Sequence, residues 1–306
     1  MAHQTHERVL DPYSIHPATR LGHVHLKVAD LQRQMEFYRD VIGFQVHWQG
    51  GASAGMGAGG EDLLHLTEKV TLPRSSNTTG LYHFAILLPD RRELARAIAR
   101  LFSFRYSNFP TDHVMTKSTY LDDAEGNGIE LYADTPEDGT FEFANGKFLA
   151  RAADGTISDG REPLDLERLF GELAADDRLD QSMPPGTKIG HVHLHVANLP
   201  EAMRFYHGLL GFDDKGSSPA YRFGFVSAGG YHHHIGLNTW AGEGAPPPPA
   251  GSPGLWYFTI VVPDQRELDG LQERIKNAGV QPDLSSGIPL FRDPSQIGVR
   301  IVTEDR

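Results

Sequence analysis

The 306-residue chain has no cysteine, which excludes disulfides, thiolate metal ligands and cysteine nucleophiles together. Any metal must be held by His, Asp, Glu or Tyr. Basic residues are scarce: 28 Lys and Arg against 40 Asp and Glu give a net charge of −12, with no Lys/Arg run to offset it. Such a chain repels phosphate backbones and anionic lipid, so neither nucleic acid nor a membrane is an expected partner. Long apolar runs are also missing. Stretches such as residues 84–88 fall far short of the roughly 18 residues of a membrane span. The first twenty residues are polar and His-rich, without the apolar segment of a signal peptide, and a cytoplasmic location is expected.

What is present is enough apolar material for packed cores, 39% of the residues, and length for two domains of about 150 residues. The sequence also repeats itself. Residues 21–44, LGHVHLKVADLQRQMEFYRDVIGF, recur 168 positions later as IGHVHLHVANLPEAMRFYHGLLGF, with 13 of 24 positions identical. A second pair, GLYHFAILLPDRREL from Gly80 and GLWYFTIVVPDQREL from Gly254, lies at an offset of 174. The chain therefore consists of two halves of two units each.

Each unit opens with an alternating strand. In His23-Val24-His25-Leu26-Lys27-Val28 the period of two separates a polar from an apolar face. Asp30 and Asn198 stand where N-caps belong, and Gly43 ends a helix carrying Met35, Phe37, Tyr38 and Val41. Shorter strand-like runs follow, so the unit reads β-α-β-β-β. The expected fold is α+β: four βαβββ modules paired into two domains, each a curved mixed sheet forming a cup with helices outside. The domain plan is an arm over residues 1–20, a first domain of modules 1 and 2 over 21–134, a structured linker over 135–187, and a second domain of modules 3 and 4 over 188–306. In the linker, Asn145-Gly146 predicts a hairpin and residues 164–174 a helix. The proline-rich loop 242–253 should be extended.

Three residues of the first half fall on polar strand faces: His23, His83 and Glu130. His83 shares its face with Ala85 and Leu87, while parity turns Tyr82, Phe84 and Ile86 toward the helices. Two imidazoles and a carboxylate can hold a divalent metal and leave its other side open. Taken singly, each is more often an ordinary strand residue; the duplicated frame is what groups them.

The repeated GH-V-L-V-N/D-L…FY…LGF openings and the Asp123-Ala124-Glu125-Gly126-Asn127-Gly128-Ile129-Glu130 ending resemble the vicinal oxygen chelate superfamily, which includes glyoxalases, bleomycin resistance proteins and type I extradiol dioxygenases. More specifically, the chain resembles its two-domain, catechol 2,3-dioxygenase-like members. The resemblance implies that His23, His83 and Glu130 bind the metal, that Tyr120 is an active-site tyrosine and that His113 is an acid–base histidine. It implies ring cleavage of a catechol-like diol by O2, as in aromatic catabolism, with Fe(II) as the first choice of metal and Mn(II), Ni(II) or Zn(II) as others, and no organic cofactor. Expected partners are a small-molecule substrate, O2 and a second copy of the chain in a homodimer.

The second half departs from the pattern: Tyr257 matches His83 and Arg300 matches Glu130. The first half is therefore expected to be the active one, with His191 dispensable for metal retention. His191, His193 and His195, with His232, His233 and His234, form a cluster that could bind a second ion or line a pocket. His65 lies where glyoxalase-like relatives carry a fourth ligand. Two alternatives stay open: a glyoxalase-like lyase or isomerase, favoured if His65 is a ligand, and a metal-free protein that binds a small molecule such as an antibiotic.

Overall fold

A computed structural model describes residues 13–304. Module 1 comprises β1 (Arg20–Val28), α1 (Leu31–Glu36), β2 (Gln45–Gly50), β3 (Ser53–Gly57) and β4 (Asp62–Glu68). Module 2 comprises β5 (Gly80–Leu87), α2 (Arg91–Ser103), β6 (Phe109–Asp112), β7 (Thr116–Asp122) and β8 (Gly128–Asp134). The linker holds β9 (Gly139–Ala144), β10 (Lys147–Ala152), β11 (Ile157–Ser158), β12 (Glu162–Pro163) and α3 (Leu166–Phe170). Module 3 has β13 (Lys188–His195), α4 (Leu199–Met203), β14 (Asp213–Ser218), β15 (Phe223–Ser227) and β16 (Ile235–Asn238). Module 4 has β17 (Gly254–Val262), α5 (Gln265–Asn277), β18 (Phe291–Arg292) and β19 (Gly298–Thr303).

The expected caps form. Asp30 accepts from the Arg33 amide and Asn198 from the Glu201 amide. Both helices continue into a π-helical turn, Phe37–Ile42 and Arg204–Leu209, and the first stops at Gly43 with φ 99°. From these turns Tyr38 donates to Asp123 at 2.9 Å and Tyr206 to Asp293 at 3.0 Å, so each odd-numbered module is tied to the tight turn before the last strand of an even-numbered one. Helix α2 buries Leu94, Ile98 and Leu101 in the same core as Phe84, Ile86, Ile129 and Leu131, on the convex side of its sheet.

The modules pair differently from the sequence expectation. One sheet runs β18-β19-β17-β1-β4-β3-β2 and joins module 1 to module 4; the other runs β12-β6-β7-β8-β5-β13-β16-β15-β14 and joins module 2 to module 3. At the two junctions β1 pairs antiparallel with β17, and β13 with β5. Residues 21–134 and 188–306 are thus not separate cups, since each supplies half of both sheets. Alternation reports which face of a strand is buried but not which strand lies beside it, and all four opening strands carry the same pattern. One contiguous core runs through all four modules.

The linker is structured as expected, and Asn145-Gly146 makes the turn of the β9–β10 hairpin with φ 53° and 72°. Its helix is shorter than the sequence suggests, closing at Gly171. The far end of the linker is pinned to α2, where buried Arg96 donates to the carbonyls of Gln181 and Ser182 and buried Arg100 to those of Leu179 and Gln181. Most of the expected arm lies outside the described residues; its end packs on the protein, with Ile15 buried and bonded to the Gly211 carbonyl at 2.8 Å. Among the described residues no helix is long and apolar enough to cross a membrane.

Candidate metal centre

In the module 2–module 3 sheet the concave face of β5 carries His83, that of β8 carries Glu130 and that of β13 carries His191. Pairing puts them side by side: β5 and β8 run parallel with Ala85 opposite Glu130, and β13 runs antiparallel to β5 with His191 opposite Ala85. Nε2 of His191 lies 3.0 Å from Oε2 of Glu130, Nε2 of His83 lies 3.2 Å from the same oxygen, and the two nitrogens are 3.3 Å apart. All three side chains are buried. The other Glu130 oxygen accepts from Ser118 at 2.6 Å.

The structure therefore brings together His83 and Glu130 of the sequence-predicted ligands and replaces His23 with His191. His23 lies on β1 in the other sheet, grouped with His25 and His65. His191, expected to be dispensable, instead lies beside His83 and Glu130, for the same reason as the module pairing. His23 and His191 occupy equivalent places in the repeat, and only the partner strand decides which of them meets His83.

The donors fit a divalent ion. Metal–ligand bonds of about 2.0–2.2 Å require donors roughly 3 Å apart, which is the observed spacing. Burial alone would raise the Glu130 carboxyl, but His191 and His83 hold it well below the usual carboxylate range. Burial pushes the His191 imidazole down to about 4 against the opposing pull of Glu130. The set is therefore a carboxylate and a neutral imidazole beside His83, which is the protonation that a metal needs. The position opposite His25 on the neighbouring parallel strand is His65 in one sheet, while the position opposite His193 in the other is Gly236. A side chain there would crowd the His193 ring, at 2.9 Å from a Cβ. Among the described residues the centre is thus left with three grouped donors, and His65 lies in the other sheet with His23 and His25.

The two expected catalytic residues lie beside the centre. Tyr120 is on β7 opposite Glu130 on β8, and its hydroxyl is 2.7 Å from His113 Nε2. His113 Nδ1 meets the carbonyl of Gly160, two residues before β12, the linker strand that pairs with β6. A carbonyl can only accept, so Nδ1 carries the proton and Nε2 accepts from Tyr120. Burial lowers the His113 imidazole and, with Glu130 nearby, raises the Tyr120 phenol well above its ordinary value, so both are neutral.

These groups line a cavity of about 680 Å³, whose aromatic wall includes Phe141 and Phe148 from the linker hairpin and Tyr221, Phe223 and Phe225 from module 3. The loop around residues 50–60 takes no part in it, because it forms the β2–β3 hairpin of the other sheet. Tyr82 also reaches the cavity and is 42% exposed. The β5–β13 register passes from Leu81–Leu194 to His83–His193, so Tyr82 is an extra residue in a bulge that parity does not foresee. His193 and His233, members of the cluster noted in the sequence, are further cavity residues. Burial keeps both rings well below the ordinary imidazole range, and Nε2 of His193 has no partner.

A cup of paired βαβββ modules with two imidazoles and a carboxylate converging on its floor defines a metal-dependent enzyme scaffold with open coordination positions. The family model described as Glyoxalase/Bleomycin resistance protein/Dioxygenase superfamily matches residues 20–131 and 188–296. The chain belongs to that superfamily. A catechol-2,3-dioxygenase of Bacillus subtilis (strain 168) is 43% identical over 285 residues, 92% of this chain and 96% of that one. A solved structure from Bacillus subtilis subsp. subtilis str. 168 aligns with TM-score 0.64 at 14% identity, covering 96% of this chain and 87% of the other. Glyoxalase I from Zea mays aligns with TM-score 0.55 at 19% identity, covering 93% and 92%. At those identities the solved structures support the fold alone.

Proposed function

We propose that His83, His191 and Glu130 hold Fe(II) and that the aromatic cavity above them takes a catechol-like diol for ring opening with O2. The chain is an extradiol-type ring-cleaving dioxygenase that requires a divalent metal, as its 43% identity to a catechol-2,3-dioxygenase over nearly the whole of both chains indicates. The observation that carries the iron assignment is the meeting of Nε2, Nε2 and Oε2 within 3.0–3.3 Å, with no fourth His, Asp or Glu donor grouped with them among the described residues. Two imidazoles and one carboxylate with open positions are the donor set of non-haem Fe(II) oxygenases.

Held by His83, His191 and Glu130, a divalent ion would supply Lewis acidity that lowers the diol's pKa and stabilises developing charge. The protein supplies the rest. Phe141, Phe148, Phe223 and Phe225 exclude water and pack the ring faces of the substrate. The Tyr120 hydroxyl is placed to hydrogen-bond a substrate oxygen. Neutral His113, whose Nε2 accepts from the Tyr120 hydroxyl, takes a substrate proton relayed through that hydroxyl and returns it by the same route. His193 lines the same cavity, and its Nε2 is left without a hydrogen-bond partner there.

A glyoxalase-like reaction would be favoured by a fourth protein ligand, and Gly236 stands where that ligand would be. The metal-free binding alternative leaves a buried carboxylate and two imidazoles converging with no purpose. The test is anaerobic purification, iron analysis and oxygen-electrode assay against a panel of diols. About one iron per chain with diol-dependent O2 uptake is expected; protein without iron at this centre, or iron without uptake on any diol, overturns the reading.

A further inference from the structure

The other cup, made by modules 1 and 4, has lost the catalytic donor set: Tyr257 and Arg300 stand where His83 and Glu130 stand in the first. It nevertheless gathers imidazoles of its own. We propose that His23, His25 and His65 form a second metal site, chemically distinct from the catalytic one, which takes a divalent ion of the Zn2+ class.

His23 and His25 lie on one face of β1, and His65 lies on parallel β4 in register with His25, so strand pairing alone assembles the group. One ring nitrogen from each lies within 4.8 Å of the others. The His23 and His65 rings stack at 3.8 Å between centroids. His65 Nε2 donates to Asp62 at 2.8 Å, and Asp62 is itself held by His47 Nδ1 at 2.7 Å and Trp48 Nε1 at 2.6 Å. A carboxylate anchoring the outer nitrogen of a histidine is the arrangement that orients metal ligands and leaves the other nitrogen free. His25 is 9% exposed; its Nε2 is engaged with Thr67 at 2.8 Å, and its Nδ1 is buried with no partner. A buried polar atom without a partner is costly, and an ion would satisfy it.

The donor chemistry selects the ion. Three imidazoles without a carboxylate, in a chain without cysteine, favour Zn2+, Cu2+ or Ni2+ over the oxygen-loving Mg2+, Ca2+ and Mn2+. The Arg300 guanidinium, bonded to the Tyr257 hydroxyl at 2.8 Å and to Ser286 at 2.6 Å, brings positive charge to this cup in place of Glu130. It bars the catalytic set and favours a small anion as the fourth ligand of the ion.

The proposal does not depend on the reading of the catalytic centre. Chelator-treated full-length protein is titrated with Zn2+ by calorimetry. Wild type should bind two equivalents, and His65→Gln and His191→Gln one each. Asp62→Asn should keep both but weaken one about 10- to 100-fold. A single equivalent, lost in His191→Gln and intact in His65→Gln, overturns the second site; a single equivalent lost only in His65→Gln supports it and overturns the catalytic one. Should His65→Gln not fold, Co2+ added to His191→Gln gives the answer: visible absorption bands of nitrogen-ligated Co2+ support the site, and their absence overturns it.

Discussion

Glu130 and Arg300 occupy corresponding places in the two cups, and the difference between them separates the proposed metal centre from the other cup. One carboxylate oxygen of Glu130 faces both imidazoles while Ser118 holds the other at 2.6 Å. On the proposed assignment, Ser118 orients the Glu130 carboxylate without itself meeting the ion. Ser118→Ala should weaken iron binding about 10- to 100-fold while folding normally, measured by competition with a chelator; unchanged affinity would mean that the backbone alone aims the carboxylate. The sequence set His83 and Glu130 on polar strand faces by parity within one module, whereas Tyr120 and His113 came only from the family resemblance; the structure brings all four to one cavity. The place of His191 was not legible, because it depends on a strand from the other half of the chain.

At the scale of elements, the linker is part of the site. The β9–β10 hairpin supplies Phe141 and Phe148, and the segment before β12 sets the Gly160 carbonyl on His113. The hairpin was readable from Asn145-Gly146, since only a tight turn with positive φ suits that pair. Its position over the cavity was not, because nothing local in 135–187 says which sheet edge β12 joins. Gly160 has φ 71°, and a Cβ there would lie 3.0 Å from Phe148 and 3.2 Å from Ala150. Gly160→Ala is strained on both counts and should shift the carbonyl that fixes the His113 tautomer. We expect kcat to fall roughly 10-fold, less than the 10²–10⁴-fold typical of losing an acid–base group outright, with iron content unchanged. A loss of iron along with activity would assign the linker a purely structural role.

Over the whole molecule, the repeat admitted two ways of closing cups, modules 1 with 2 and 3 with 4 or modules 1 with 4 and 2 with 3, and hydrophobic patterning satisfies both. The resulting core buries many histidines, and this sets the acid stability of chelator-treated protein. Burial lowers His23 to about 3, His25 to about 2 and His234 to about 3. Each folded value lies below the unfolded one, so the stability these rings contribute is present above about pH 6.5 and is lost as the pH falls. Burial raises Asp293 to about 6, so its contribution is present below about pH 4 and is lost as the pH rises through about 6. The two effects oppose, and three imidazoles with larger shifts outweigh one carboxyl. The denaturation midpoint should fall from about pH 7 to about pH 5, and fall more steeply in Asp293→Asn; a midpoint that rises toward acid would contradict the assignment.

The central claim is that His83 and Glu130 share their ion with a histidine from the other half of the chain. Iron content and diol-dependent O2 uptake, measured side by side on anaerobically prepared His191→Ala and His23→Ala, test it most directly. The account predicts that His191→Ala loses both and that His23→Ala keeps both. Iron and turnover surviving in His191→Ala but vanishing in His23→Ala would contradict it.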